Sequence, residues 1–189
     1  MKDSFIVLSG LPASGKSTLG RAIAEALRLP MLDKDEILEA LFENRGIGDA
    51  DWRRRLSRIA DQELIEQAAK LPAAVITSWW RHPNSSAASG TPSEWLHSLQ
   101  GEVVEIYCVC SPSVAASRFI ERTRHAGHVD RRHTFEGLLA SFQSQASFGP
   151  LRIGRTIEVS TETEPSVARL LAQLGCDPSE NRCHAQPAA

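Results

Sequence analysis

An α/β fold with a mainly parallel sheet is what this sequence predicts. Short apolar runs alternate with stretches of helical periodicity, the signature of strands covered by helices. The first run, Phe5, Ile6, Val7 and Leu8, leads through a glycine-containing turn straight into a helix-forming stretch. At 189 residues the chain has the length of one compact domain, enough to bury a core without disulfide or metal staples. Hydrophobic residues make up 42% and charged residues 23%, which excludes wholesale disorder. A formal charge of -2 provides no global attraction for nucleic acid or an anionic membrane. No apolar run approaches the ~18 residues of a membrane span, and residues 5–8 are too short a run for a signal peptide. The four cysteines (Cys108, Cys110, Cys176 and Cys183) are too few and too late for a disulfide framework. A soluble, cytoplasmic, single-domain protein is expected.

Taken in order, residues 5–8 form a buried first strand, and a helix starts near Lys16 with Leu19, Ile23 and Leu27 on one face. Pro30, Met31 and Leu32 are a short second strand, followed by Asp33, Lys34, Asp35 and a helix over 36–44. Gly46 and Gly48 break the chain before a long helix over 51–70. Residues 73–77 are a third strand that ends in Ser78, Trp79, Trp80 and Arg81. The segment 82–90, rich in Ser, Ala, Pro and Asn, is a surface loop. A short helix over 93–99 precedes a fourth strand over 103–110. The next helix opens at Pro112 and ends near Arg124. A polar, basic stretch over 125–133 leads to a helix over 134–148, a strand over 156–160 and a last helix over 164–174, stopped by Gly175. The domain is expected over 1–175, with a disordered tail over 176–189.

Gly10, Leu11, Pro12, Ala13, Ser14, Gly15, Lys16 and Ser17 fit the P-loop pattern G-x-x-x-x-G-K-[ST] without a departure, and Thr18 follows. Glycines let successive backbone N–H groups converge on phosphate oxygens, and the following helix adds its positive end. Lys16 then lies across the β- and γ-phosphates, and the Ser17 hydroxyl ligates Mg²⁺. The loop follows a strand and opens a helix, which is the context the chemistry needs. ATP with Mg²⁺ is the expected nucleotide.

Residues 10–18, followed by Asp33, Lys34 and Asp35, resemble the P-loop small-molecule and nucleic-acid kinases. That group includes chloramphenicol phosphotransferase, zeta toxin, gluconate kinase and the kinase domain of polynucleotide kinase. The resemblance runs over roughly 4–174 and implies a three-layer P-loop NTPase fold. Its sheet would have five parallel strands in the order 2-3-1-4-5, with a helical lid at about 118–133. It also implies that Asp35, or else Asp33, activates the acceptor hydroxyl. Arg118 would pack on adenine and Arg122 would reach the phosphates.

The residues support these roles separately. Phosphoryl transfer needs an in-line hydroxyl that a carboxylate can orient and deprotonate. Asp33 and Asp35 sit at the carboxyl end of a strand, where ligands collect. One of them can hold a Mg²⁺-bound water while the other faces the acceptor; the bland alternative is that Asp35 only caps the helix after it. Arg118 and Arg122 are four apart, a mildly repulsive arrangement unless an anion lies between them or Arg118 pairs with Glu121. Arg124, Arg131 and Arg132 continue the basic character. His125, His128 and His133 with Asp130 lack the spacing of a metal site and read as a polar loop. Cys108 and Cys110 read as core, Cys176 and Cys183 as incidental.

Trp79, Trp80 and Arg81 are candidate acceptor contacts, since aromatic walls suit rings and sugars. Two consecutive tryptophans on a strand point to opposite faces. Arg53, Arg54, Arg55 and Arg58 read as a solvated face or a brace for an anionic substrate. Strand three ends in Ser78, not in the acid that usually partners Mg²⁺; Asp33 can compensate, with Ser78 polar enough to hold a water. Leu38 stands where polynucleotide kinases carry an Arg, which lowers the polynucleotide 5′-kinase reading. The function expected is ATP-dependent phosphorylation of a small-molecule hydroxyl, on a sugar, nucleoside-like compound or antibiotic. A non-catalytic ATP-binding switch is the alternative of a different class.

Overall fold

The computed structural model describes residues 4–128 and 133–176. Its sheet holds β1 (Ser4–Gly10), β2 (Met31–Asp33), β3 (Ala74–Thr77), β4 (Glu102–Val109) and β5 (Arg155–Ser160). All neighbours are parallel and the order is β2-β3-β1-β4-β5, as expected. Parallel strands need covered faces, and two apolar clusters supply them. Ile6, Leu8, Val75, Val104 and Ile106 pack on one side against Leu19 and Ile23 of α1 (Lys16–Leu27) and Leu170 and Leu171 of α6 (Val167–Gln173). On the other side Phe5, Val7, Ala74 and Ile76 meet Leu64 and Ala68 of α3 (Ala50–Ala69). Among the described residues, no helix is long and apolar enough to cross a membrane.

Several element boundaries differ from the sequence reading. α2 (Lys34–Arg45) starts two residues earlier, because Asp33 rather than Asp35 is its N-cap. The Asp33 carboxylate accepts the Asp35 backbone N–H at 2.9 Å. α4 (Pro112–Glu121) stops before Arg122, whose backbone is extended (φ -69, ψ 138). The chain is drawn away there by side chains that fasten it to α2, described below. α5 (Phe135–Ala146) is capped by Thr134, and α6 by Ser166. The short segment Glu94–Ser98 is a 3₁₀ helix. The expected lid at about 118–133 includes residues 129–132, and the expected tail includes 177–189; both segments, with Asp130, Arg131, Arg132 and Cys183, lie outside the described residues. Cys176 is not incidental, since it is buried and disulfide-bonded.

One buried acid organises the end of β1. Glu105, fully buried, accepts from Ser9 Oγ (2.5 Å), Leu151 N (2.7 Å), Arg152 N (2.8 Å) and Thr156 Oγ1 (3.1 Å). A carboxylate out of water has to be satisfied in this way. It ties the last residue before the glycine loop to the turn that precedes β5. Cys108 and Cys110 are buried and free, and burial pushes the Cys108 thiol up to about 12, so it stays protonated as a packing residue.

Candidate active site

The loop between β1 and α1 takes backbone conformations that suit glycine. Gly10 has φ +126 and Gly15 φ +92. A Cβ at Gly10 would lie 2.6 Å from the Cys108 carbonyl oxygen, so no larger residue fits there. Gly15 is the N-cap of α1 and offers no side-chain acceptor, which leaves the first N–H groups of the helix for an anion. Ser14 Oγ is buried without a hydrogen-bond partner in the same loop. Lys16 Nζ is turned onto the loop itself, donating to Leu11 O at 2.6 Å and Gly10 O at 3.1 Å. Burial lowers its pKa to about 8.

That shift has a measurable consequence. Triphosphate favours the charged ammonium, whereas the ligand-free protein loses this proton as pH rises through about 8. Nucleotide binding is therefore expected to take up protons above about pH 8 and almost none at pH 7, and affinity should fall as pH rises past 8. Calorimetry of MgAMP-PNP binding at pH 7 and pH 9, in buffers of different ionisation enthalpy, checks this. Equal proton uptake at both values would contradict it.

The carboxyl ends of the strands place the remaining groups around one cleft of about 1210 Å³. That exceeds the ~300–1,000 Å³ of a single small-ligand pocket, so it has room for a donor and an acceptor together. Asp33 is buried and hydrogen-bonded to the Ser17 side chain; burial raises its pKa, while Ser17 and the Asp35 N–H oppose the rise. Thr77 stands beside Asp33 in the β2–β3 register, and its hydroxyl is buried without a partner. Ser17, Asp33 and Thr77 form a hard oxygen set at the end of the loop, the donor chemistry Mg²⁺ takes. The Ser78 hydroxyl, by contrast, is occupied by Thr91 Oγ1 at 2.6 Å.

At the α4 end of the cleft, Arg118 does not pair with Glu121. Its guanidinium donates to Thr161 O (2.8 Å) and Glu162 O (2.9 Å), which fixes it against the loop after β5. Arg122 also lines the cleft, with its guanidinium over the Phe119 ring at 4.1 Å. These carbonyls, 43 and 44 residues away from Arg118, left no signal in the sequence.

The α2 end of the cleft is more rearranged. Asp35 is half-exposed and paired with Arg124 at 2.5 Å. Arg124 also approaches His128 Nε2 at 3.2 Å, and that nitrogen meets Glu39 at 3.0 Å. His125 contacts Glu43 at 2.8 Å and stacks on Phe42. Asp35, Glu39 and Glu43 recur every four residues on α2, a repulsive stripe that this basic segment neutralises. His125 and His128 are thus held by α2, and the described residues contain no metal-binding cluster of His, Cys, Asp and Glu. The two tryptophans separate. Trp79 lines the cleft, its indole N–H donating to Gln145 at 2.9 Å. Trp80 is only 7% exposed and donates to Leu8 O at 2.8 Å; it is a core residue rather than an acceptor contact. Arg81 lies within reach of Glu94 (3.7 Å) and faces a smaller neighbouring cavity instead of the cleft.

A phosphate loop on a 2-3-1-4-5 sheet, with carboxylates where β2 meets the same cleft, defines the class of P-loop kinases of small molecules. Within it the chain belongs to the AAA domain family, whose model matches residues 5–144. It is 34% identical over 76 residues to a shikimate kinase of Paracidovorax citrulli, a stretch that is 39% of this chain and 42% of that enzyme. It is 33% identical over 115 residues to an adenylyl-sulfate kinase of Burkholderia ambifaria, covering 55% of this chain and 64% of the relative. The chain thus spans less than two thirds of the length of these curated relatives. Among solved structures, a protein assigned as a kinase from Chloroflexus aurantiacus superposes with a TM-score of 0.75 at 28% identity, over 92% of this chain and 97% of that one. A sugar kinase from a Janibacter species shares the fold, with a TM-score of 0.59 at 18% identity over 95% of this chain and 98% of its own.

Proposed function

We propose that this protein is an ATP-dependent phosphotransferase that moves the γ-phosphoryl group of ATP to a hydroxyl of a small molecule. The observation that supports it most is the position of Asp35, half-exposed in the same cleft as the Lys16 loop. In this reading the acceptor oxygen attacks the γ-phosphorus, and the bond from that phosphorus to the β–γ bridging oxygen breaks. ADP leaves, and Asp35 takes the hydroxyl proton. The loop N–H groups and Lys16 hold the phosphates, Arg122 meets the charge that spreads over the moving phosphoryl, and Arg118 backs the adenine. Ser17, Asp33 and Thr77 would hold Mg²⁺, directly or through water. When bound, the ion neutralises phosphate charge.

Relatives named as shikimate and adenylyl-sulfate kinases favour a small-molecule acceptor over a polymer. Leu38 agrees, because it is buried in the α2–α3 core and offers no cation to a polynucleotide. The test is an ADP-release screen with MgATP over sugars, nucleosides, amino alcohols, antibiotics and hydroxy acids, with mass spectrometry to locate the added phosphate. A gain of one phosphoryl group on a small hydroxylated compound is expected. Nucleotide binding with no acceptor-dependent ADP release would favour the non-catalytic switch.

A further inference from the structure

We infer that Arg124 is a positioning residue for Asp35: it keeps that carboxylate from serving water and so makes turnover of ATP depend on an acceptor. This rests on the kinase reading and on Asp35 as its base. Arg124 Nη2 donates to Asp35 Oδ2 at 2.5 Å, from a largely buried guanidinium to a half-exposed carboxylate. The bond is charge-assisted, and it commits one of the two carboxylate oxygens. Hydrolysis would need a water to attack the γ-phosphorus while Asp35 takes its proton. The bond from that phosphorus to the β–γ bridging oxygen would break, and ADP and inorganic phosphate would leave. A lone water beside a committed carboxylate has little else to hold it in line, whereas an acceptor is also placed by the walls of the cleft.

Arg124 is placed by the helix that carries the base. The segment after α4 lies on α2 through contacts that do not involve Asp35. The His125 ring stacks on Phe42 at 5.5 Å, and its Nε2 meets Glu43 at 2.8 Å. The buried His128 side chain stands edge-on to the same Phe42 ring, with Nε2 3.0 Å from Glu39 and 3.2 Å from Arg124. Burial and the neighbouring guanidinium push the His128 pKa down, so the ring wedges Arg124 as a neutral group. Gly127 lies against Phe42 as well, and a Cβ there would come within 2.3 Å of the ring. Glu39 and Phe42 stand about one and two turns along α2 from Asp35. They hold the guanidinium in register with the carboxylate on one helix.

The test uses the full chain with MgATP and no acceptor, and follows the release of ADP. Arg124→Ala is expected to hydrolyse ATP on the order of 5-fold faster than the wild type, the worth of a half-exposed ion pair. Adding Asp35→Asn to that variant should abolish the gain, and Arg124→Lys, which keeps the charge, should show only part of it. Gly127→Ala is a second route that touches neither reacting group. Crowding of Phe42 lifts the segment from α2, and hydrolysis should rise there too. Unchanged or slower hydrolysis in Arg124→Ala and Gly127→Ala, with or without a fall in AMP-PNP affinity, would overturn the inference. So would a gain that survives Asp35→Asn, because the water would then be served by another group. The acceptor screen judges the kinase reading separately. Phosphoryl transfer in that screen, with no rise in hydrolysis in these variants, would leave the kinase reading standing and remove this one. A rise that Asp35→Asn abolishes, with no acceptor found, would do the reverse.

Discussion

Asp35→Asn is expected to leave folding and MgATP binding intact while cutting phosphoryl transfer by ~10²–10⁴-fold, the usual worth of a positioned general base. The fold makes this substitution unusually clean. The helix cap is Asp33, so an amide at position 35 leaves the cap of α2 in place. The side chain is half-exposed, and the loss of its ion pair with Arg124 should cost at most about 1 kcal/mol. A steady-state assay on the acceptor found by screening, with ATP affinity measured in parallel, separates chemistry from binding. Asp33→Asn is the companion variant. Asp33 is bonded to Ser17, so its defect should be relieved partly by raised Mg²⁺, whereas the Asp35 defect should not. Wild-type turnover by Asp35→Asn would remove the base assignment and move the switch reading ahead.

Lys16→Ala should be the most damaging single change in the nucleotide site. It deletes the cation fixed within the loop, and turnover is expected to drop by ~10³-fold or more with a clear loss of MgATP affinity. The ligand-free protein should unfold at a similar denaturant concentration. Its ammonium is buried at a cost in desolvation that two loop carbonyls and the nearby Asp33 and Asp35 offset in part, so its removal takes little from the fold. A urea titration beside the kinetic assay shows which of the two has changed. The proton uptake expected above pH 8 should disappear in the same variant. Unimpaired phosphoryl transfer by Lys16→Ala would refute the kinase reading altogether.

Much of this architecture was legible in the chain because its signals are local. A continuous apolar run such as Phe5–Leu8 reports a strand covered on both faces, and the spacing of Leu19 and Ile23 reports a helix face. The eight residues from Gly10 to Ser17 carry their own context, since backbone geometry and phosphate chemistry restrict each position that matters. Errors arose where two neighbours suit one task. Asp33 and Asp35 are both good caps, and only the register that ends β2 at Asp33 decides between them. Trp79 and Trp80 are likewise equivalent in sequence, and the packing of β3 against Leu96 and Trp95 sends one inward and the other into the cleft.

By itself, then, the sequence determined the layer order of strands and helices, the phosphate loop and the class of chemistry it serves. Tertiary structure alone decided which charges are free to act. Arg124 reaches Asp35 across 89 residues, Arg118 is set by the carbonyls of Thr161 and Glu162, and Glu105 is satisfied by groups up to 96 residues away. The arginine run that reads as one basic patch is divided on α3, with Arg55 over the Trp52 ring, Arg54 paired with Asp51 and Arg53 Nε buried without a hydrogen-bond partner. The physical reason is range. Backbone propensity and apolar periodicity act within a turn or two, whereas the pairing of a buried charge depends on whichever distant element the fold packs beside it.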